Sequence, residues 1–243
     1  MDDLKLFSGR AHPEFAQEIC RHLGVELGDA DIFKFSNDNT FVVINESVRE
    51  DDVFVVQPSC APVNDGIMEL VIMIDALKRA SVRRITAVLP YFPYSRSDKK
   101  DQPRIAITAR LIADMLEVAG ADRVLTMDLH ASQIQGFFRI PVDHLTGIPI
   151  LAEHYRNQNF DDLVIVAPDA GRAKMARSFG EWLKAPIAII DKRRVGNDDN
   201  PYADHVVGEV EGKRALLVDD EVSTGRSLAA AVRSLVQHGA REV

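Results

Sequence analysis

Residues 214–228 read Arg-Ala-Leu-Leu-Val-Asp-Asp-Glu-Val-Ser-Thr-Gly-Arg-Ser-Leu. The apolar run at 215–218 predicts a short buried strand, and the apolar pattern after it predicts a helix over 227–238. Between them lie two adjacent carboxylates and a polar loop. A strand that passes through a loop into a helix is the repeating unit of α/β proteins with parallel sheets.

The loop between this strand and this helix is a candidate anion site. Backbone N–H groups of residues 224–227 lie where the start of a helix attracts phosphate. Asp219 and Asp220 follow the carboxyl end of the strand, where ligands bind in open α/β sheets, and their oxygens suit the hydroxyls of a ribose. The alternative is an unliganded turn before a capped helix. Because two acids placed directly after four apolar residues lose hydration, we favour a sugar-phosphate site.

The same alternation of elements runs along the whole chain. The predicted strands are 4–8, 53–57, 85–89, 124–127, 163–167, 187–190 and 215–218, with a strand and turn at 41–48. The predicted helices are 13–23, 65–80, 106–119, 149–157, 172–183 and 227–238, with Gly24, Gly120 and Gly239 as stops. The predicted fold class is therefore α/β, with mostly parallel sheets flanked by helices.

The length of 243 residues is enough for two modest domains. Residues 140–149 contain two prolines and a glycine, a composition typical of a boundary. We expect an N-terminal domain over 1–145 and a C-terminal domain over 146–243. Because residues 239–243 resemble the entry to another strand, we expect the C-terminal domain to be incomplete, through truncation or natural shortening.

The composition is that of an ordinary globular protein in water, with 46% hydrophobic and 27% charged residues. No apolar run approaches the roughly 20 residues of a membrane span, so no membrane partner is expected. The acidic start lacks the layout of a secretory signal, which predicts a cytoplasmic protein. Cys20 and Cys60 lie far apart, which favours reduced thiols over a disulfide framework or a metal site.

The net charge of −8 argues against a nucleic-acid partner, because nonspecific binding needs many Lys and Arg contacts with phosphates. Any anion site must then be local. Two basic clusters qualify, within residues 96–104 and at 192–194, and each is either an anion site or a solvated face.

Several segments resemble the ribose-phosphate pyrophosphokinase family, which makes phosphoribosyl pyrophosphate (PRPP). They are residues 7–9, 46–49, 62–65, 68–80, 126–130, 133–138 and 188–194. The resemblance covers both expected domains and implies that each is phosphoribosyltransferase-like. It also implies transfer of the diphosphoryl group of Mg-ATP to the anomeric hydroxyl of ribose 5-phosphate, which gives PRPP and AMP.

The resemblance assigns the ribose 5-phosphate site to the loop described above. Its residues are Asp219, Asp220, Ser223, Thr224, Gly225, Arg226 and Ser227, together with Arg194. Ser223 stands where the family usually has Asp, and Arg226 stands where a small residue is usual. We expect these two departures to alter the phosphate contacts without abolishing them.

The resemblance also assigns Mg²⁺ and catalytic positions. His130 and Asp169 match the Mg-ATP residues, each following a predicted strand. A lone His after a strand is more often structural, but a similarly placed Asp favours a metal or phosphate role, and Mg²⁺ takes few protein ligands. Lys192 and Arg194 match the basic pair of a mobile catalytic loop, where positive charge stabilises the transition state. The alternative for that pair is a strand end with surface basic residues.

ATP recognition is where the chain departs most from the family. The matched residues are Phe35, Asn37, Asp38, Asn39, Arg96, Ser97, Lys99 and His130. Asn37 and Asn39 replace acids, and because amides donate as well as accept, base recognition is expected to loosen or shift. Lys99 replaces an arginine and cannot form its bidentate phosphate contact. In the family a neighbouring subunit completes this site, which implies a homo-oligomer built from dimers, such as a hexamer.

Two other functions stay open at this point. The changed ATP segments and the missing tail suggest a non-catalytic or weakly active regulatory paralogue that assembles with active subunits. Residues 218–227 also fit the PRPP loop of phosphoribosyltransferases, although the segments before residue 140 disfavour that class. Retention of Lys192, Arg194, His130 and Asp169 favours an active diphosphokinase.

Overall fold

A computed structural model of the chain describes residues 4–158, 160–194 and 202–243, with the backbone alone described at 192–194 and 202–204. The chain divides into two compact units, Met1–Leu145 and Thr146–Val243. Each unit contains a mostly parallel sheet flanked by helices, so the predicted α/β class is confirmed. Within the described ranges, no helix is both long enough and apolar enough to cross a membrane.

The first unit is built on a five-stranded parallel sheet and a separate hairpin. Its strands are β1 (Leu4–Ser8), β2 (Ala30–Lys34), β3 (Thr40–Ile44), β4 (Asp52–Val56), β5 (Arg84–Leu89), β6 (Arg123–Met127) and β7 (Val142–Leu145). Its helices are α1 (Pro13–Leu23), α2 (Val63–Arg79) and α3 (Thr108–Ala119), and a 3₁₀ turn covers Ser132–Phe137. The sheet order is β1-β4-β5-β6-β7, while β2 and β3 pair antiparallel.

Different helices cover the two faces of this sheet. One apolar cluster joins Leu6 and Val88 of the sheet with Cys20 of α1. A larger cluster joins Phe7 with α2 and α3. Because successive strand residues face opposite sides, Leu6 and Phe7 enter different clusters. The Phe7 ring lies so close to Gly28 that a Cβ there would be 2.5 Å from the ring, which makes glycine necessary.

The second unit is built on a four-stranded sheet. Its strands are β8 (Leu163–Ala167), β9 (Ile187–Arg194), β10 (Tyr202–Val207) and β11 (Arg214–Leu217), in the order β10-β9-β8-β11. Its helices are α4 (Ile148–Arg156), α5 (Ala173–Leu183) and α6 (Arg226–Gln237). β8 is parallel to β9 and β11, and β10 is antiparallel to β9. Val166 packs with α6 and Ile165 packs with α5, so the central strand is apolar on both sides.

Most predicted elements are confirmed to within two residues at each end, and β1, α1 and β8 have the predicted bounds. The strand predicted at 187–190 was too short, because pairing with β10 extends β9 to Arg194. β2, β7 and β10 were not predicted. β7 lies inside the proline-containing stretch 140–149, and it is an edge strand, where nearby proline is tolerated. The resemblance implies a mobile catalytic loop at Lys192 and Arg194, and residues 195–201, which follow this pair, lie outside the described residues.

Candidate functional site

An acid pair and one arginine form the centre of a site at the end of β11. Asp219 and Asp220 follow the buried Val218, whose N–H still donates to Val166 of β8 at 3.0 Å. Arg172 Nε lies 3.3 Å from Asp219 Oδ1, and Arg172 Nη2 lies 3.1 Å from Asp220 Oδ2. The three side chains are only 14%, 17% and 4% exposed, so their charges interact in a poorly hydrated environment.

The charges in this cluster are unbalanced, with two carboxylates facing one guanidinium. The pKa of Asp219 is raised to about 6, mainly by burial and then by the neighbouring Asp220 carboxylate, while the charge of Arg172 has a smaller lowering effect. The Asp220 N–H donates to Asp219 Oδ1 at 2.9 Å, which partly compensates. A ligand that brings hydroxyl donors or positive charge would relieve the remaining repulsion.

The loop after the acids ends at an open helix start. Gly225 has a φ of 73° and is the N-cap of α6, a left-handed conformation that favours glycine. The Ala229 N–H donates to Gly225 O at 2.8 Å, and the Arg226 N–H lies 3.5 Å from Thr224 Oγ1. Ser223, Thr224, Arg226 and Ser227 are exposed. α6 begins one residue earlier than predicted, which puts Arg226 and Ser227 in its first turn, suited to an anion.

Asp169 lies at the same edge of the second sheet, after β8. Its Oδ1 accepts the Arg172 N–H at 3.2 Å and so caps the 3₁₀ turn Ala170–Arg172. Arg172 therefore joins all three acids, through its backbone to Asp169 and through its side chain to Asp219 and Asp220. Sequence reasoning missed Arg172, although an Arg three residues after a Pro-Asp strand end was a usable signal.

Among the residues whose side chains are described, no group of three or more His, Cys, Asp and Glu is arranged to hold a metal ion. Asp169 is exposed and offers oxygen donors. Such a sparse oxygen set fits Mg²⁺, which keeps water and phosphate oxygens among its ligands, better than a metal that needs a closed protein site.

His130 belongs to a turn at the end of β6 in the first unit. Asp128 has a φ of 41°, and its N–H donates to Leu145 O at 3.0 Å. The next N–H, that of Leu129, donates to His144 Nε2 at 3.0 Å. Further on, Gln133 Nε2 donates to Asp98 Oδ2 at 3.2 Å, which ties the turn to the basic segment around residue 98.

Three predicted ATP residues line one cavity of about 240 Å³. They are Arg96, Ser97 and Lys99. The rest of the lining comes from Tyr94, Asp101 and Ile105. The Ser97 hydroxyl also accepts the Thr108 N–H at 3.3 Å, so part of its role is to start α3. Asp98 lies between Ser97 and Lys99 in the sequence, is 8% exposed and accepts the hydrogen bond from Gln133. Two basic groups around a cavity are suited to phosphate.

The other predicted ATP residues form the tip of the β2–β3 hairpin. The Phe35 N–H donates to Asn39 O at 2.9 Å, and the Asn39 N–H donates to Asn37 Oδ1 at 3.3 Å. Lys34 Nζ lies 2.8 Å from both Asp38 and Asp65, which fastens the tip to α2. Among the described residues, the tip contributes none to the lining of the cavity at Arg96.

The predicted catalytic residues Lys192 and Arg194 lie in β9, where their backbones pair with Asp204 and Tyr202 of β10. Their side chains lie outside the described part of the chain.

Comparisons with known proteins agree over both units. A model for the N-terminal domain of ribose phosphate pyrophosphokinase matches residues 4–120, and a phosphoribosyl transferase domain model matches 146–243. The ribose-phosphate pyrophosphokinase of Clostridium acetobutylicum is 54% identical over 243 residues, which cover 99% of this chain and 76% of that protein. That of Oceanobacillus iheyensis is 50% identical over 240 residues, which cover 99% and 75%.

A solved structure is similar as well. The phosphoribosylpyrophosphate synthetase from Mycobacterium smegmatis superposes with a TM-score of 0.91 at 45% identity, covering 98% of this chain and 78% of that one. The phosphoribosyltransferase-like character of the two units is thereby confirmed.

Proposed function

This chain belongs to the ribose-phosphate pyrophosphokinase family, and we propose that it transfers the diphosphoryl group of ATP to the anomeric hydroxyl of ribose 5-phosphate, giving PRPP and AMP. The observation that carries this function is about 50% identity to such enzymes over nearly the whole chain. The phosphoribosyltransferase alternative is disfavoured, because the first unit matches the N-terminal domain of ribose phosphate pyrophosphokinase and only the second matches a phosphoribosyl transferase domain. A regulatory paralogue is disfavoured by relatives that are named as the enzyme itself.

We propose that ribose 5-phosphate binds at the end of β11. Asp219 and Asp220 would accept hydrogen bonds from the ribose hydroxyls, which supply the donors that the crowded acids lack. The exposed loop 223–227 and the first turn of α6 would hold the 5-phosphate. Arg172 keeps both carboxylates fixed toward the sugar.

We propose that the ATP phosphates contact the cavity lined by Arg96, Ser97 and Lys99. His130 is part of the same proposal, and the turn that follows it is tied to this segment by the hydrogen bond from Gln133 to Asp98. Lys192 and Arg194 would neutralise charge that develops during an in-line displacement, a role for which positive side chains need no covalent chemistry. Adenine recognition by Phe35, Asn37, Asp38 and Asn39 is part of the same proposal. Asn37 Oδ1 already accepts the Asn39 N–H, and its NH₂ group can donate to the base.

Diphosphoryl transfer of this kind requires a metal ion, and we propose Mg²⁺, with His130 and Asp169 as the residues that would contact it or its water. The ion supplies positive charge against the phosphate oxygens when it is bound. Asp169 is prepared for this by its capping bond, which orients its carboxylate.

We also propose a homo-oligomer built from dimers, such as a hexamer, in the cytoplasm. Phe33, Phe35 and Phe41 are between 40% and 48% exposed on the hairpin, with ring centroids 5.1–5.4 Å apart. A cluster of three exposed aromatic rings on one hairpin is better suited to burial against another subunit than to water.

The test is to incubate the protein with ATP, ribose 5-phosphate and MgCl₂ and to quantify AMP and PRPP by chromatography. Equal amounts of AMP and PRPP, dependent on all three additions, are expected. Asp220→Asn should weaken ribose 5-phosphate binding in calorimetry. Asp161→Asn should not, because Asp161 is exposed and lies outside the proposed site. Binding of ribose 5-phosphate without any AMP would support the regulatory paralogue instead.

A further inference from the structure

One imidazole contacts the chain on both sides of His130. His144 lies in β7, opposite Thr126 of β6. Its Nε2 accepts the Leu129 N–H at 3.0 Å, and its Nδ1 lies 3.2 Å from Gln135 Nε2. The ring therefore accepts a hydrogen bond from the residue directly before His130 and lies next to Gln135 of the following 3₁₀ turn.

The turn needs such a side chain because the ladder between β6 and β7 ends there. The Asp128 N–H still bonds to the backbone of β7, at Leu145 O. Asp128 then has a positive φ, and the next N–H, that of Leu129, donates to the imidazole of His144 in β7 instead of to a backbone carbonyl. A buried N–H without a partner is costly, so the acceptor fixes the path of the turn.

The direction of this hydrogen bond defines the state of the ring. A backbone N–H can only donate, so Nε2 must carry a lone pair and His144 must be neutral. Burial lowers the pKa of His144, and this effect outweighs the opposing influence of Asp128. The environment therefore keeps the acceptor that the turn requires.

We propose that His144 is a positioning residue for the nucleotide step, which acts through the Leu129 N–H to hold His130 in place. This inference rests on the proposed function, in which His130 serves ATP and its metal ion. It assigns no contact between His144 and a substrate. The expected consequence is selective: loss of the acceptor disturbs the use of ATP and leaves the ribose 5-phosphate site, in the other unit, intact.

The experiment compares three variants of the full chain with wild type. His144→Phe keeps a ring without an acceptor, and His144→Gln restores an acceptor at a similar reach. His22→Phe, at an exposed position in α1, controls for replacing a histidine with phenylalanine. We expect His144→Phe to lower kcat/KM for ATP by about 10- to 100-fold, as for other residues that orient a ligand, with an unchanged Kd for ribose 5-phosphate. His144→Gln should recover most of the loss.

A double variant tests whether His144 acts through His130. If it does, His130→Ala/His144→Phe should be no slower than His130→Ala alone, because the positioned group is already gone. Independent, multiplicative losses would overturn the proposal, as would wild-type kinetics in His144→Phe or an equal loss of ribose 5-phosphate binding.

Amide hydrogen exchange of the peptide spanning residues 128–137 gives a readout that needs no activity. Exchange should accelerate in His144→Phe and return toward wild type in His144→Gln, with α1 peptides unchanged. Unaltered exchange in His144→Phe would overturn the proposal even if activity falls. If wild type makes no AMP, the proposed function fails, while the exchange data still decide whether His144 holds the turn.

Discussion

Single side chains at the end of β11 set the electrostatics of the proposed ribose 5-phosphate site. Asp219 and Asp220 leave the sheet together and share one guanidinium, from Arg172. Such an arrangement costs stability in the free protein, because two carboxylates are poorly hydrated and only partly compensated. The cost is consistent with a site that is completed by a ligand carrying hydroxyl groups.

The raised pKa of Asp219 predicts a pH-dependent stability. Asp219 has a pKa of about 6 in the folded protein, above the pKa of the same group in the unfolded chain. Its stabilising contribution is therefore fully present at a pH below the unfolded-state pKa and is lost as the pH rises through about 6. We expect Asp219→Asn, which stays neutral, to be more stable than wild type by roughly 1–3 kcal/mol near pH 8 and by less near pH 5. Urea unfolding at the two pH values measures this difference.

Asp161→Asn is the matched control for that experiment, because it removes an exposed carboxylate. Its effect on stability should be small, because exposed charges contribute little. A difference between Asp219→Asn and wild type that does not change with pH would contradict the assigned shift.

The Arg172 side chain should contribute strongly to the stability of the protein, because it compensates the charges of Asp219 and Asp220. Arg172→Gln leaves two buried carboxylates without their guanidinium, so we expect a loss of about 3 kcal/mol in the free energy of unfolding near neutral pH. Adding Asp219→Asn to this variant should recover part of the loss, because one of the repelling charges is removed. Thermal and urea unfolding provide the measurement, and Arg177→Gln, at an exposed position of α5, is the control. Equal stability of the two arginine variants would show that Arg172 does not hold the acids.

Among the described elements, the β2–β3 hairpin carries the exposed aromatic rings on which the proposed oligomer rests. We expect Phe33→Ser/Phe41→Ser to weaken self-association by roughly tenfold or more, because aromatic anchors dominate protein interfaces. The fold should persist, since both rings are about two-fifths exposed in the single chain. Sedimentation velocity over a concentration series measures the change. Val118→Ser, which is 81% exposed in α3, is the control, and an unchanged mass distribution in the double variant would contradict an interface at the hairpin.

The elements that could be predicted from sequence are those whose signals are local. β8 is a short apolar run, and α1 has Pro13 in its first turn and Gly24 at its end. β2 could not be found in this way, because Ala30–Lys34 is half-exposed and gains its strand character from pairing with β3. β7 was hidden by the nearby prolines.

The candidate site divides in the same way. Residues 219–227 could be predicted because a strand, two acids and a polar loop are contiguous. The roles of Arg172 and His144 could not, because each depends on the register between neighbouring strands, β8 with β11 and β6 with β7. Such contacts join residues 15 or more positions apart and leave no local pattern.

Binding of ribose 5-phosphate should stabilise the second unit more than the first. The described residues of the proposed ribose 5-phosphate site all belong to Thr146–Val243. At about 100 times its Kd, the sugar phosphate should stabilise what it binds by about 2.7 kcal/mol. Hydrogen exchange should therefore slow in peptides that contain Arg172 and residues 219–228. Slowing confined to peptides before residue 146 would place the ligand elsewhere.

The order β1-β4 in the first sheet has a consequence for biosynthesis. The register sets Leu4 beside Asp52, so β1 can pair with its neighbouring strand β4 only after 48 further residues have been added. At about 5–20 residues per second, that delay lasts several seconds. During this interval the β2–β3 hairpin can close from neighbouring residues, whereas the nascent β1 has only the bridge from Leu6 to Leu27 in place of its neighbouring strand.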